Sequence, residues 1–423
     1  MAKQQVDAGM QVIFERVCGL DVHKKVVVAC LRILSAGGRI RSEVRRFGTM
    51  TEDLRKLLEW LKAEQVTHVA MESTGVFWKP IYNILEGHRM EVWVVNAQHL
   101  KKVPGRKTDI TDAQWIAQLL QCGLLRPSFV PDRAQRELRD LTRQRTRLVQ
   151  QRATVSNRVQ KVLEDANIKL GSVASDVLGV SGRSMIEGLI DGEQDAAVLA
   201  ELARRRLRGK IPELRLALDG NVTEHHRFLL RELLDQFDYV EGKIQALTER
   251  IDSVASPLFK QSATLLDTIP GIASESAQAI VAEIGTNMAQ FPSHKHLCSW
   301  AGRCPGNHES AGKRRSGQPA KGNKWLGAVL TEVAWAASRT KHTYLNAQYH
   351  RLAPRRGKNR AIVALTHSIL TAAYFMIRDQ VPYNDLGPDH FTRLNPGQQT
   401  RYHVRKLQQL GHNVELTPIE EAA

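Results

Sequence analysis

Between residues 230 and 254, apolar side chains recur every seven positions, with Leu230, Phe237, Ile244 and Ile251 in one row and Leu233, Val240, Leu247 and Val254 in the other. A stripe of this period held for more than three heptads is buried only by a second helix lying along it. The stretch is therefore expected to be a long helix with a helical partner. A candidate lies upstream, in an arginine-rich segment that begins near Arg133. There Leu141, Leu148, Val155 and Val162 repeat every seven residues, and Leu138, Arg145, Arg152 and Val159 stand three or so before them. Arginine at two core-type positions implies a compromised coiled coil, or one whose seam also faces a partner. Arg136, Arg139, Arg143, Arg147 and Arg158 form a flank that is either simply solvated or able to follow a phosphate backbone. Residues 166–224, with the loops GVSGRS and DGEQ and the basic cluster ARRRLRGK, read as a helical tip. The pair is then an antiparallel arm or a dimer-forming coiled coil.

The residues before the arm have a different periodicity. VCGLDVHKKVVVACLRI reads as two valine-rich strands around the HKK turn, and SEVRRFG (42–48) as a third. TEDLRKLLEWLKAE (51–64) places Leu54, Leu57, Leu58 and Leu61 on one helical face. The strand THVAMES, the helix FWKPIYNILEG and the strand EVWVVN (91–96) follow. The order predicts an α/β layer with a mixed sheet and right-handed crossovers. Asp21 and Glu72 fall on apolar strands, where an unpaired carboxylate costs several kcal/mol, and a bound cation would remove that cost. The competing readings are a turn aspartate and a water-facing strand end. His23 reads as a turn residue.

In KKVPGRKTDITDAQWIAQLL (101–120), Pro104 and Gly105 break the chain, Thr108 can cap, and Ile110, Ala113, Ile116, Ala117 and Leu120 recur at helical spacing. A helix starting near Asp109 would put Asp109 and Asp112 on one face, as a hard divalent cation such as Mg²⁺ requires. Alternatively, both only complement the positive helix N-terminus. Lys101, Lys102, Arg106 and Lys107 suit a phosphate-bearing substrate.

The formal charge of +16 favours a polyanionic partner, nucleic acid first. No run reaches the roughly 20 uninterrupted apolar residues of a spanning helix, and MAKQQVDAGM lacks a signal-peptide core. The five scattered cysteines contain no CxxC pair, so neither a disulfide framework nor a zinc site is indicated and a reducing cytoplasm fits. No GxxxxGK[ST] motif appears, which argues against a nucleotide-driven motor.

After Ser256-Pro257, DTIPGIASESAQAIVAEIG (267–285) reads as two helices around a Pro270-Gly271 turn, either a helix-hairpin-helix element offering backbone N–H groups to a phosphate or a plain helical hairpin. GRCPGNHESAGKRRSGQPAKGNK (302–324) is rich in glycine and cations, and predicts a loop able to wrap a phosphate backbone. Ser310 lies beside Lys313, Arg314 and Arg315, whose charges would stabilise an alkoxide, and Lys321 and Lys324 extend the basic run. Ser316 is its nearest competitor as a nucleophile, and a simple basic clamp with both serines as bystanders is the bland alternative. Residues 358–379 read as an apolar core helix with His367 a satisfied core histidine. Tyr344 and Tyr349 are the only argument for a tyrosine nucleophile. Residues 381–423 read as a peripheral, partly disordered tail.

GLDVHKK, AMESTG, VNAQHLKKVPGRKTDITDA, NHESAGKRRSG and KGNKWL, in this order, resemble the DEDD transposases of insertion sequence family 110, the bridge-RNA-guided recombinases. The resemblance covers roughly residues 17–165 and 262–380. It implies an α/β ribonuclease-H-like (RuvC-like) nuclease domain at 15–130 after a loose N-terminus (1–14), and a coiled coil and helical tip at 131–260. A mostly α C-terminal transposase domain at 261–380 and the tail at 381–423 complete it. It further implies that Asp21, Glu72, Asp109 and Asp112 hold Mg²⁺ or Mn²⁺ and that Ser310 is the nucleophile. The implied partners are donor and target DNA and a non-coding bridge RNA, acted on by a homodimer assembling to a tetramer in the bacterial cytoplasm at the nucleoid, with no membrane and no small-molecule substrate. A RuvC-like junction nuclease using metal-activated water and a non-catalytic nucleic-acid-binding protein are the alternatives.

Overall fold

The computed structural model describes residues 11–73, 75–97, 100, 111–306, 308–310, 313–319, 321–394 and 396–417, with backbone alone at 308–310, 313–316, 398 and 399. The chain divides into two compact units, residues 1–131 and 132–423.

In the first unit, strands β1 (Arg16–Val22), β2 (Val26–Leu34), β3 (Ile40–Gly48), β4 (His68–Glu72) and β5 (Glu91–Val95) form one sheet in the order β3-β2-β1-β4-β5. The first three are antiparallel neighbours, whereas β4 runs parallel to β1 and β5 parallel to β4. This mixed sheet is compatible with the ribonuclease-H-like arrangement expected. Both faces are covered, which is why β1 and β2 are nearly continuous in apolar residues instead of alternating. On one face Leu20, Leu31 and Met71 pack with Leu57, Leu61, Ile81 and Leu85 of α1 (Thr51–Ala63) and α2 (Trp78–Leu85). On the other face Val17, Ala70 and Val95 meet Trp115, Ile116, Leu119 and Leu120 of α3 (Asp112–Gln121). Gly19 lets α3 approach this closely: a Cβ there would stand 2.4 Å from both the Ala113 carbonyl oxygen and the Ala117 nitrogen.

The second unit is mostly helical. Its longest elements, α4 (Arg133–Asp165) and α9 (Glu224–Val254), run antiparallel, as the pairs Asp165–His226 at 3.0 Å, Arg152–Glu241 at 2.7 Å and Arg145–Thr248 at 3.5 Å require. Between them, α5 (Leu170–Val173), α6 (Val180–Asp191), α7 (Ala196–Glu201), a 3₁₀ turn (Arg205–Lys210) and α8 (Ile211–Leu218) form a tip with its own core, in which Leu170, Met185, Ile186, Leu199 and Leu214 are fully buried. The heptads hold toward the tip, where Val155, Val159, Leu230, Val240 and Ile244 are buried. Toward the base the pattern is mixed: Leu138, Arg145 and Ile251 are buried in their rows, but Val254 is 40% exposed and α4 also buries the off-row Arg139 and Thr142. The reason is that this part of α4 packs on α11 (Ser274–Ile284), which with α10 (Pro257–Asp267) makes the expected helical hairpin.

Then follow α12 (His294–Trp300), the two-stranded β6 (His308–Ser310) and β7 (Lys313–Ser316), α13 (Lys324–Arg339), α14 (Tyr344–Arg356) and α15 (Lys358–Asp379). Helix α15 is long and apolar enough to cross a membrane by length and composition, yet Ile362, Leu365, Ile369 and Leu370 are buried in the fold, as a core helix requires. His367 is satisfied, its Nδ1 lying 3.1 Å from the Arg303 carbonyl oxygen. The tail departs from expectation. The Tyr383 N–H donates to Thr268 Oγ1, Asp385 accepts from the Tyr344 N–H, and Phe391 of α16 (His390–Leu394) stacks on Tyr344 at 5.1 Å. Residues 383–391 are thus anchored by polar and aromatic contacts of low apolar density, and α17 (Pro396–Gln409) follows them.

Candidate functional site

β1 and β4 pair in register from Val17 with His68 to Leu20 with Met71, so Asp21 and Glu72 are the next residues of adjacent parallel strands. Because side chains alternate, both lie on the face that carries Gly19 and Ala70 and receives α3. Asp112 is the first residue of α3. Three acidic residues from distant motifs are therefore directed to one end of one sheet face, by strand register and by the close Gly19 contact. Asp21 is 23% exposed and has a neighbour that sequence reasoning set aside, His23, whose Nε2 lies 3.0 Å from Asp21 Oδ2.

The start of α3 corrects one expectation. Thr111, not Thr108, is the N-cap; its backbone is extended (φ −66°, ψ 156°), and its side chain accepts from the Gln114 N–H while Gln114 Oε1 accepts from the Thr111 N–H at 3.0 Å. The reciprocal Thr-x-x-Gln capping box outcompetes the upstream threonine. Asp109, Lys101, Lys102, Arg106 and Lys107 lie outside the described residues. Among the described residues, no group of three or more His, Cys, Asp or Glu side chains is gathered tightly enough to hold a metal ion.

In the second unit, the basic segment is a hairpin where a loop was expected. Ser310 pairs with Lys313 beside the two-residue connection, Glu309 with Arg314, and His308 with Ser316, with a bulge between His308 and Glu309. The two serines thus sit at opposite ends of the hairpin, Ser310 at the turn and Ser316 at the foot. The flanking strands of chain nearly touch: a Cβ on Gly322 would stand 2.3 Å from the Ala301 carbonyl oxygen. Lys321 is exposed, and Lys324, also exposed, has its Nζ 5.5 Å from the centre of the Trp325 ring.

The start of α13, the helix that follows the hairpin in the chain, is tied to the arm through Glu283, which sequence reasoning passed over. Glu283 is 2% exposed. Arg143 grips its carboxylate with two bonds of 2.6 and 2.9 Å, and Asn323 Nδ2 donates to it at 2.6 Å. Asn323 Oδ1 in turn caps α13 by accepting from the Trp325 and Leu326 N–H groups. Arg139 donates to the Ala282 and Glu283 carbonyl oxygens at the α11 C-terminus, and burial pulls its pKa down to about 10 against the opposing pull of Glu283. Arg145 donates to Gln278 Oε1 and the Glu275 carbonyl. Arg139, Arg143 and Arg145 are therefore spent inside the fold, which corrects their reading as a flank or seam offered to a partner. The signal was present: Glu283 is a lone acid in the apolar run AQAIVAEIG, and a buried carboxylate demands partners.

A transposase model, that of the DEDD transposases of IS110, matches residues 18–168, and a second, described as Transposase IS116/IS110/IS902 family, matches residues 263–350. The two matches take in both acidic strands, the start of α3 and the serine hairpin. The chain belongs to the IS110 transposase family. Its curated relatives include pilin gene-inverting proteins of Moraxella bovis and Moraxella lacunata, each 30% identical over 132 residues, or 30% of this chain. That alignment spans 41% of the length of either relative. The tip, residues 169–223, lies outside both family matches.

Proposed function

We propose that this family member is a recombinase that cuts and rejoins DNA strands, with Asp21, Glu72, Asp109 and Asp112 as its carboxylate quartet and Ser310 as its nucleophile. The observation that carries the reading is the shared sheet face of Asp21 and Glu72, at adjacent parallel strand ends, beneath the helix that opens with Asp112. Carboxylate oxygens are the donors that Mg²⁺ or Mn²⁺ selects, and such a cation would supply positive charge to the scissile phosphate and the leaving oxygen. The fit is one of donor chemistry and of strand ends on a common face.

In the step assigned to the chain itself, the Ser310 hydroxyl loses its proton to water and its oxygen bonds to phosphorus. The bond from phosphorus to the leaving sugar oxygen breaks, and that oxygen takes up a proton. Lys313, Arg314 and Arg315 offset the negative charge that develops on the phosphoryl oxygens. Attack of a strand-end hydroxyl on the phosphoserine reverses the step and rejoins DNA. Lys101, Lys102, Arg106, Lys107, Lys321 and Lys324 contact nucleic-acid backbone, including that of a bridge RNA recognised by charge and A-form shape. A dimer assembling to a tetramer in the bacterial cytoplasm completes the reading. The gene-inverting description of the curated relatives is in keeping with strand exchange.

The test is to incubate the protein with DNA and Mg²⁺, trap it, and map modified peptides by mass spectrometry. A phosphoserine at Ser310 that disappears in S310A and persists in S316A is expected. Cut DNA with unmodified protein would instead identify a junction nuclease, and full activity in D109N/D112N would leave only a nucleic-acid binder. Sequencing RNA that co-purifies, and measuring strand exchange with and without it, tests the guide.

A further inference from the structure

The tip carries a cluster of cations for which neither the arm nor the quartet has a use. Residues 166–223 hold eight cationic and eight anionic side chains, so the tip has no net charge, yet five of its cations fall within Arg204–Lys210. Arg204, Arg205 and Arg206 are exposed and border a cavity of about 520 Å³. Among the described residues, ion pairing accounts for their neighbours and not for them: Glu201 pairs with Arg208 and Arg215. Asp176 is the one acid on the cavity wall, and its Oδ1 accepts from the Leu178 N–H.

The cavity is built rather than incidental. The buried Ser181 hydroxyl accepts from the Arg204 N–H at 2.9 Å, fixing the start of the cluster on the first turn of α6, and Lys210 Nζ donates to the Val173 carbonyl at 3.1 Å, fixing its end. The opposite wall is the start of α6 itself, where Gly179 has no side chain to cap the free N–H groups. Three guanidinium groups without an ion-pair partner among the described residues, and a partly positive helix end, thus border one concavity from two sides. A single phosphate would engage only part of a row of cations seven residues long, so consecutive phosphates fit it better.

We propose that this cavity is a docking site for the phosphodiester backbone of a nucleic-acid strand, separate from the quartet and the serine hairpin. The test uses the full-length protein, fluorescent single-stranded RNA and duplex DNA, and the variant R204A/R205A/R206A. A control of equal charge loss, R231A/K243A/R250A, removes exposed cations of α9, and R204K/R205K/R206K keeps the charge. For the strand that docks here, the alanine variant binds about tenfold more weakly near 0.1 M salt, and the slope of log K against log salt falls by about 2 for RNA or about 3 for duplex DNA. The control changes affinity by less than about threefold, the lysine variant keeps most of the slope, and which polymer responds identifies the strand. Ultraviolet crosslinking of the unmodified protein maps to peptides within 173–182 and 204–210, a readout that survives any folding defect of the variants. Unchanged slopes for both polymers, equal losses in the control, or crosslinks confined to other parts of the chain overturn the proposal.

Discussion

At Glu283, one carboxylate closes a network that joins α4, α11 and the N-cap of α13. Substituting Glu283→Ala leaves the buried Arg139 and the half-buried Arg143 without their carboxylate, and breaking a buried pair in this way costs about 3–5 kcal/mol. Urea denaturation of the variant should show the loss, with Glu283→Gln milder because its amide oxygen still accepts from Arg143. A loss below about 1 kcal/mol would mean that water reaches the site. Cys298 offers a pH-dependent readout. Burial pushes its thiol up to about 11, although a contact with Thr371 Oγ1 at 3.7 Å pulls the other way. The folded state thus keeps a proton that the unfolded chain gives up near pH 8.5, so this contribution is complete below about pH 8.5 and is lost as pH rises toward the folded value. At pH 9, iodoacetamide should label Cys298 only upon unfolding, and prompt labelling of the folded protein would refute its shielding.

Among the elements, α3 depends on a residue that has no side chain. Gly19→Ala must push the Ala113 and Ala117 backbone away from β1, at a cost on the order of 1–3 kcal/mol, and should impair strand cutting by displacing Asp112 relative to Asp21. Thermal melts and cleavage assays check both effects, and normal melting with normal cutting would contradict the packing argument. The strands and helices of the first unit were legible because alternation, apolar runs and turn residues agree there. The start of α3 was misread because two threonines compete as caps and only Thr111 has Gln114 three residues on. The hairpin of Ser310 was hidden by a composition of glycine and cations that suits loops equally well. Burial of Arg139, Arg143 and Arg145 could not be read from heptads, since it depends on α11, more than 130 residues later in the chain. The placement of Asp21 and Glu72 at adjacent strand ends on one sheet face followed from strand order, which local sequence signals suggest and pairing register decides.

For the whole molecule, the division after residue 131 predicts that the two units respond separately to damage. Gly19→Ala should lower one calorimetric transition, whereas Leu230→Ala, which empties a fully buried position between the arm and the tip at about 2–5 kcal/mol, should lower the other. A single transition shifted alike by both would show that the units unfold as one. The antiparallel arm also fixes a length. From Arg143, at the Glu283 anchor, to Asp165, where the tip begins, the α-helical rise of 1.5 Å per residue gives about 33 Å. The arm therefore holds the Glu283 anchor and the tip apart at a distance set by helical rise alone, a spacer of fixed length as well as a support.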